Sequence, residues 1–230
     1  LGCAFPEGEQ GLNVARLIVF IAELPISVAG TTINRFCGSS MQSVHSAAGA
    51  IAMGAGDVFI CAGIESMSRV PMMGFNPMPN PALNERLPAA YISMGMTAEN
   101  IARKYGLSRQ EQDAFAVESQ AKAASARQAG KLKDEIVPIQ AGKDVVNSDG
   151  CIREGTTLET LAGLKPAFDE KGVVTAGTSS PLTDGASACL VTSAEYAKAH
   201  GLKVLAKIRS IGVAGCAPEI MGIGPVAATQ

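Results

Sequence analysis

The chain has 230 residues, of which 47% are apolar, and its formal net charge is −2 with a pI near 5.8. This length is enough for a substantial hydrophobic core in one or two domains. The balanced charge gives no electrostatic reason to expect nucleic acid or an anionic membrane as a partner. The apolar runs are interrupted before they reach bilayer length, and the first residues show no secretory signal, so neither a membrane span nor export is predicted.

The cysteines indicate a reducing, cytoplasmic compartment rather than a disulfide framework. Six of them are scattered along the chain, without a CxxC pair and with only two histidines to join them. The usual spacing of zinc ligands is therefore absent, and we predict no metal site. Chains of this length rarely depend on disulfides, so we expect free thiols.

The first third of the sequence predicts a strand–helix–strand unit. Residues 13–24 form an apolar helical pattern that Pro25 ends, and residues 26–34 are rich in β-branched side chains. Residues 39–55 show apolar side chains at helical spacing, and residues 57–63 form a second apolar strand pattern. This order is typical of a βαβ unit, so we expect a parallel sheet.

The composition changes after Arg69 and returns to the first pattern after about residue 175. Two helices are predicted in between, one beginning near Thr97 and one at Ser108, where Glu111 completes a capping box. Residues 141–175 are predicted to be mostly loop, with a short strand at 173–176. A strand at 188–192, a helix at 193–200 and a strand at 204–215 are then expected. The prediction is an α/β core of residues 1–69 and 176–230 with a mostly helical insertion at 70–175.

Cys37 is the residue that chemistry singles out, because it lies where the first strand gives way to a helix. The helix start carries about +0.5 charge and free backbone N–H groups, which stabilise a thiolate. Gly38 leaves the approach to the sulfur open. These features favour a nucleophile. A buried packing cysteine remains the commoner alternative on these grounds alone.

Long segments of the sequence resemble the thiolases in the same order as in that family. The segment "INRFCGSSMQSVHSAAGAIAMGAGDVFICAGIESMSRVPMM" resembles their active-site region. Further matches are "GCAFPEGEQGLNVAR", "MGMTAENIARKYGLSRQEQDAFAVESQAKA", "DEIVPI", "LKPAFDEKGVVTAGTSSPLTDGAS" and "IMGIGPVAAT". The resemblance is strongest to the degradative 3-ketoacyl-CoA thiolases, which are acetyl-CoA acyltransferases. It implies the N-terminal half of a layered α-β-α thiolase core and a mostly helical loop domain.

The resemblance also implies roles for individual residues. Cys37 matches the nucleophile that becomes acylated, and coenzyme A thioesters are implied as substrates with no separate cofactor. Arg153 matches a residue beside the adenine of CoA, with Leu164 and Phe168 as its apolar wall. Ser180 matches a serine on the pantetheine arm. The remaining implied contacts are Ala176 and Ser179 near that arm, and Met94 and Met221 at the acyl end of the tunnel.

Four of these residues, Arg153, Phe168, Met94 and Met221, also have a purely structural alternative. Arg153 fits a solvated loop, Phe168 fits a core, and methionines commonly fill gaps between other side chains. We interpret His45 as a satisfied packing histidine and His200 as a C-terminal helix cap. The five cysteines other than Cys37 are interpreted as packing residues.

Two departures from the family bear on activity. The opening strand with its "RTP-x-G" segment is not found, and neither are an Asn-Glu-Ala-Phe loop, a Gly-His-Pro loop and a Cys-x-Gly segment. In the family the last two carry the activating histidine and the acid/base cysteine. We therefore predict that the 230-residue chain alone has no turnover.

Two short differences from the acetoacetyl-CoA-specific thiolases narrow the expected substrate class. Ser93 stands where acetoacetyl-CoA-specific members often have histidine, and "TSSP" stands where they usually read Asn-Ala-Ser-Gly. Both favour a degradative enzyme of fatty-acid β-oxidation. A biosynthetic acetyl-CoA C-acetyltransferase and a non-catalytic CoA-binding protein stay as alternatives, and a ketoacyl synthase fits the flanking motifs less well. The family also implies a homodimer or tetramer and a possible β-oxidation complex partner.

Overall fold

The computed structural model describes residues 1–230, which cluster into two compact units. The first unit comprises Leu1–Met78 and Leu182–Gly212, and the second comprises Pro79–Pro181 and Val213–Gln230. Residues 213–230, predicted as part of the core, cluster with the second unit. The assignment of domains itself stays a prediction.

The chain forms eight α-helices and four β-strands. The α-helices are α1 (Val14–Ile21), α2 (Ser39–Ala52), α3 (Pro81–Arg86), α4 (Met94–Tyr105), α5 (Arg109–Gln128), α6 (Leu158–Ala162), α7 (Ala194–Ala199) and α8 (Gly224–Thr229). The strands are β1 (Val58–Ser66), β2 (Ile139–Ala141), β3 (Asp144–Val146) and β4 (Asp184–Thr192). No helix combines the length and the apolar character needed to span a bilayer.

The sheet of the first unit pairs β1 with β4 in antiparallel register, with Cys61 opposite Cys189. Both strands were predicted, although β4 begins earlier than expected. The parallel pairing expected from the βαβ pattern is limited to Gly2, which forms parallel bridges to Ile33 and to Gly63. The N-terminal residues therefore lie between the two segments that were expected to pair.

The strand predicted at residues 26–34 is wrong, apart from the bridge at Ile33. Its carbonyl groups are used by side chains of α1 and its N-cap. Arg16 donates to the carbonyls of Val28 and Ile26, and Asn13 Nδ2 donates to the carbonyl of Gly30 at 2.8 Å. No backbone N–H donates to these three carbonyls, so residues 26–30 form no ladder of backbone hydrogen bonds.

The predicted helices of the first unit are confirmed in position but are shorter. α1 ends at Ile21 rather than near Pro25, and its last residues, Phe20 and Ile21, are exposed. The description of this helix as mostly buried is therefore wrong for its last two residues, although Val19 is buried. α2 ends at Ala52, and α7 ends where His200 places Nδ1 3.0 Å from the Tyr196 carbonyl oxygen. This contact is consistent with the predicted capping role of His200.

The strand predicted at residues 204–215 is also wrong. Residues 203–216 take part in no backbone hydrogen bond within the chain, and apolar side chains such as Leu205 and Val213 are exposed. A β-branched pattern describes a residue's fit to a pleated surface, but a strand exists only where a partner supplies the ladder.

In the second unit, the helices α4 and α5 were predicted. The predicted signals for the start of α5 and for the end of α4 are both confirmed. Ser108 and Glu111 form the predicted capping box, and Gly106 ends α4 with a left-handed φ of 66°. The start of α4 was misplaced, since Ser93 caps it and Thr97 is buried within it. The helices α3 and α6 and the β2–β3 hairpin were not predicted. The strand expected at 173–176 is reduced to a bridge between Pro166 and Thr175.

Three of the five cysteines interpreted as packing residues are in fact exposed. Cys3 and Cys61 are buried, whereas Cys151, Cys189 and Cys216 are open to solvent. Burial, followed by the charge of Glu65, raises the pKa of the Cys3 thiol to about 11. Cys3 therefore stays protonated and inert near neutral pH.

Candidate active site

The loop that carries Cys37 is built by a 3-10 helix, Phe36–Gly38, that leads directly into α2. Cys37 is exposed and free. Its sulfur therefore lies in solvent within one turn of the start of a 14-residue helix, where the helix dipole favours negative charge. The predicted setting of a nucleophile at a helix start is present.

The side chain of Ser39 stabilises the conformation of the loop that carries Cys37. Its hydroxyl accepts a hydrogen bond from the Arg35 backbone N–H at 2.7 Å and donates to the Phe36 carbonyl oxygen at 2.6 Å. Ser39 is buried. Gly2 packs against the same point, because a Cβ on Gly2 would lie 2.3 Å from the Ser39 carbonyl carbon. The backbone on both sides of Cys37 is thus fixed by one hydroxyl and one close approach.

Phe36 stores backbone strain directly before the nucleophile candidate. Its φ of 44° lies in the left-handed region, which costs a non-glycine residue on the order of 1–3 kcal/mol. Its ring contacts that of Phe5 with centroids 6.0 Å apart. The two rings help to line a cavity of about 410 Å³, together with Ala4, Pro6, Glu7, Asn34 and Met73. A strained residue beside an open cavity is typical of functional loops.

Phe5 is positioned by Glu65 and the buried Gln10, neither of which was predicted to have this role. Glu65, near the end of β1, accepts from the backbone N–H groups of Ala4 and Phe5 at 2.6 and 3.2 Å. Gln10 Nε2 donates to Glu65 at 2.5 Å and to the Phe5 carbonyl oxygen at 2.8 Å. Because the partners of Glu65 lie 55 or more residues from it in sequence, no local pattern could have indicated them.

Neither histidine is engaged with Cys37. His45 Nδ1 is buried on α2 without a hydrogen-bond partner, so the interpretation of His45 as a satisfied packing residue is wrong. His200 lies on the C-cap of α7 with its ring stacked on Tyr196 at 4.0 Å between centroids. The thiol therefore has no imidazole base within this chain.

The eight residues that the resemblance implies for CoA and acyl binding all lie in the second unit, whereas Cys37 lies in the first. Two of the eight, Met94 and Phe168, meet at the start of α4, and a third, Met221, lies on a segment that contacts the middle of that helix. Met94 is the first residue of that helix, and the ring of Phe168 is stacked so closely on the next residue that a Cβ on Gly95 would lie 2.1 Å from it. Met221 lies in a 3-10 helix, Pro218–Ile223, whose Glu219 carbonyl accepts from Asn100 Nδ2 of α4 at 3.0 Å.

A second group surrounds the turn at residues 175–180. Leu164 lies against this turn, since a Cβ on Gly177 would be 2.8 Å from its Cδ1 atom. Ala176 is exposed at the start of the turn. The hydroxyl of Ser179 donates to the Thr175 carbonyl oxygen at 2.8 Å, while Ser180 is exposed. The free hydroxyl of this pair is therefore that of Ser180.

Glu99 connects the two groups and was missed as a positioning residue. Its carboxylate is fully buried on α4 and accepts from the backbone N–H groups of Val173 and Val174, with distances of 2.9 to 3.0 Å. A helix beginning near Thr97, as predicted, would place Glu99 in its first turn, whereas α4 begins at Met94 and buries Glu99. Its real partners are more than 70 residues away, which no local signal reveals.

The backbone of Arg153 is anchored by a hydrogen bond, whereas its side chain forms no ion pair. Its N–H donates to Gln120 Oε1 on α5 at 2.8 Å, whereas the neighbouring Glu154 is paired with Arg127. Arg153 itself is exposed and takes part in no ion pair. An unpaired guanidinium on an anchored loop is suited to bind an anionic group.

The family of the chain follows from comparison with known proteins. The model of the thiolase N-terminal domain matches residues 1–195. The chain belongs to the thiolase family. This membership, with helices and sheets combined in each unit, confirms the predicted thiolase-like α/β fold. Cys37 lies inside the matched region of the thiolase domain, as do seven of the eight implied binding residues.

Curated thiolases resemble the chain along its whole length. It is 50% identical to a 3-ketoacyl-CoA thiolase of Bacillus subtilis over 99% of the chain, and 49% identical to one of Marinobacter nauticus over all of it. A third relative with the same name, from Acinetobacter baylyi, is also 49% identical. The chain spans about 60% of the length of these thiolases.

Proposed function

We propose that this chain is part of an acyltransferase that cleaves 3-ketoacyl-CoA thiolytically, giving acetyl-CoA and a shortened acyl-CoA through an acyl-cysteine intermediate. The observation that carries the proposal is Cys37 exposed at the start of α2 within a thiolase N-terminal domain. The relatives named 3-ketoacyl-CoA thiolase support the substrate class.

In this mechanism the Cys37 thiolate attacks the 3-keto carbon of the substrate. The C2–C3 bond breaks, the enolate of acetyl-CoA takes up a proton and leaves, and the acyl group remains on Cys37. A second CoA thiol then takes the acyl group and restores the cysteine. Ser39 and the strained Phe36 hold the sulfur in position, while donors for the oxyanion and a proton source are also required.

Coenzyme A is proposed to bind through residues of the second unit, as substrate and without a further cofactor. Arg153 would face the anionic nucleotide end, with Leu164 and Phe168 as an apolar wall for the adenine. Ser180, with its unengaged hydroxyl, would bind the pantetheine arm beside Ala176 and Ser179. Met94 and Met221, on two elements that pack together, would line the acyl end.

A degradative role in fatty-acid β-oxidation is favoured over the biosynthetic acetyl-CoA C-acetyltransferase. The relatives share the degradative name, and Ser93 has a defined structural role as the N-cap of α4, where its Oγ accepts from the Met96 N–H. A cytoplasmic homodimer or tetramer, with a possible β-oxidation complex partner, completes the proposal. A CoA-binding protein without catalysis is the remaining alternative.

A chimaera tests the function. Residues 1–230 would replace the aligned segment of the Bacillus subtilis relative, and thiolysis of acetoacetyl-CoA and of longer 3-ketoacyl-CoAs would be compared. We expect activity that favours the longer substrates and disappears in the Cys37→Ser chimaera. The isolated chain should show no thiolysis, because no imidazole reaches Cys37.

Three outcomes would contradict parts of the proposal. Activity that survives Cys37→Ser would exclude Cys37 as the nucleophile. A preference for acetoacetyl-CoA would indicate the biosynthetic alternative. A folded chimaera that binds CoA but neither cleaves 3-ketoacyl-CoA nor becomes acylated at Cys37 would favour the non-catalytic alternative.

The role of Arg153 can be tested by CoA binding. In the same chimaera, Arg153→Ala is expected to weaken CoA binding about fivefold to tenfold, since one charge-assisted contact at a solvated site is worth about 1 kcal/mol. Isothermal titration calorimetry would measure the Kd. Lys122→Ala is the matched control, because Lys122 is an exposed cation on α5 already paired with Glu118. Equal affinities for the two variants would assign Arg153 to a solvated loop.

A further inference from the structure

Two thiols stand opposite each other in the sheet of the first unit, away from the Cys37 loop. Cys61 on β1 and Cys189 on β4 are register partners, and directly opposed residues of an antiparallel pair project from the same face. Cys61 is 4% exposed and its Sγ lies 3.5 Å from the Ser43 carbonyl oxygen of α2, whereas Cys189 is exposed. One thiol is therefore covered by a helix and its neighbour is open to solvent.

The hydrogen bonds of the sheet define the type of pair. On β1, the carbonyl of Ala62 and the N–H of Ile64 point towards Gly2, at 2.7 and 3.0 Å. The odd-numbered residues therefore point their backbone groups towards β4, as the bond from the Ser193 N–H to the Asp57 carbonyl at 2.8 Å also requires. Cys61 and Cys189 thus form a hydrogen-bonded pair, in which the Cα atoms are about 5.5 Å apart.

That separation falls inside the range of about 4.4–6.8 Å in which two cysteines can be joined. Cβ atoms in such a pair are about 5 Å apart, whereas a relaxed disulfide prefers about 3.8 Å. A bond between them would therefore be somewhat strained, and strain makes a disulfide easier to reduce. Both thiols also line a cavity of about 420 Å³ with Ser40, Met41, Val44, Ala62, Ser187 and Ala188, which gives a small reagent access.

We propose that Cys61 and Cys189 are a reversible dithiol–disulfide pair that exchanges with low-molecular-weight disulfides. The exposed Cys189 thiolate attacks one sulfur of the small disulfide, forms a mixed disulfide and releases one small thiol. The Cys61 thiolate then attacks Cys189 Sγ and releases the second small thiol. In total, two protein thiols are oxidised to one disulfide and the small disulfide is reduced to two thiols.

The second step is the slow one. Burial is the main cause that raises the pKa of Cys61, so little thiolate is present near neutral pH. Closing the bond also draws the Cys61 sulfur away from the Ser43 carbonyl, so oxidation alters the contact between β1 and α2. Since α2 begins at Ser39, two residues after Cys37, the pair is placed to couple the redox state to the nucleophile loop.

The test uses the 230-residue chain oxidised with glutathione disulfide under native conditions. Remaining thiols are alkylated after denaturation, and the peptides are analysed by mass spectrometry after cleavage at acidic residues, which separates Cys37 from Cys61 at Asp57. We expect a Cys61–Cys189 cross-linked peptide that dithiothreitol abolishes. Cys151 and Cys216, which are also exposed, should instead appear as mixed disulfides with glutathione.

Two variants make the test decisive. In Cys61→Ser, Cys189 should accumulate as the glutathione mixed disulfide, and in Cys189→Ser, Cys61 should remain a free thiol. Serine differs little in size from cysteine, and circular dichroism would show that each variant is folded. The proposal is overturned if Cys61 of the folded wild-type chain stays free while Cys189 carries glutathione. A cross-link from Cys189 to any other cysteine would overturn it as well.

Discussion

Replacing Glu99 by alanine is expected to reduce the free energy of unfolding of the second unit by about 3 kcal/mol, which for a chain of this size corresponds to a fall in Tm of roughly 6–12 °C. The substitution removes the charged acceptor of two buried N–H groups, those of Val173 and Val174. Each is then left without a partner, at a cost of about 1–3 kcal/mol. Thermal unfolding followed by circular dichroism measures the effect.

Local exchange and two control variants separate this effect from a general loss of stability. Hydrogen–deuterium exchange should accelerate at the Val173 and Val174 amides more than in β1 or β4. Glu99→Gln keeps an acceptor without charge and should lie between wild type and alanine. Glu118→Ala removes an exposed carboxylate that pairs with Lys122 and should change Tm by less than about 2 °C. If Glu99→Ala behaved like Glu118→Ala, the buried carboxylate would not hold the turn.

The second large effect concerns Ser39. In the active chimaera described above, Ser39→Ala should lower kcat by about 10- to 100-fold while KM for the 3-ketoacyl-CoA changes little. The hydroxyl connects the Arg35 N–H to the Phe36 carbonyl, and without it the strained Phe36 can relax and displace Cys37. Steady-state kinetics would separate kcat from KM.

The matched control is Ser46→Ala, on the same helix but exposed, where the hydroxyl only accepts from Gln42 Nε2 at 3.3 Å. It should leave both constants near the wild-type values. A purely structural role for Ser39 would lower the fraction of active enzyme and leave the rate of each active site unchanged. Titration of the acylated Cys37 by mass spectrometry measures that fraction, so an unchanged kcat per titrated site would refute the positioning role.

The elements that could be predicted are those whose signals are local. The capping box at Ser108, the left-handed Gly106 and the helical spacing of α2 all depend on residues within a few positions of one another. The position of Cys37 at a helix start belongs to the same class, and the order of motifs identified the family. The substrate-binding residues stay predictions derived from that family.

The incorrect predictions of strands and of burial have one cause, which is contact between residues that are distant in the sequence. Residues 26–34 have the composition of a strand, but the side chains of Arg16 and Asn13 donate hydrogen bonds to backbone carbonyl groups of this segment. Residues 204–215 have the same character but no backbone partner. Cys189 has the composition of a buried strand around it and is exposed. In each case the local pattern is compatible with a strand, and the outcome depends on which distant group binds the backbone or covers the side chain.

By itself, the sequence determined which segments become the helices α1, α2, α4, α5 and α7, where the nucleophile candidate lies and to which family the chain belongs, because periodicity, caps and motifs are encoded within short stretches. Only the tertiary structure decided that Glu99 is a buried acceptor for residues 173–174, that Ser39 fixes the Cys37 loop, and that Cys61 faces Cys189. The physical reason is that buried hydrogen bonds and strand register join residues that are far apart in the chain, and their pairing exists only once the chain is folded.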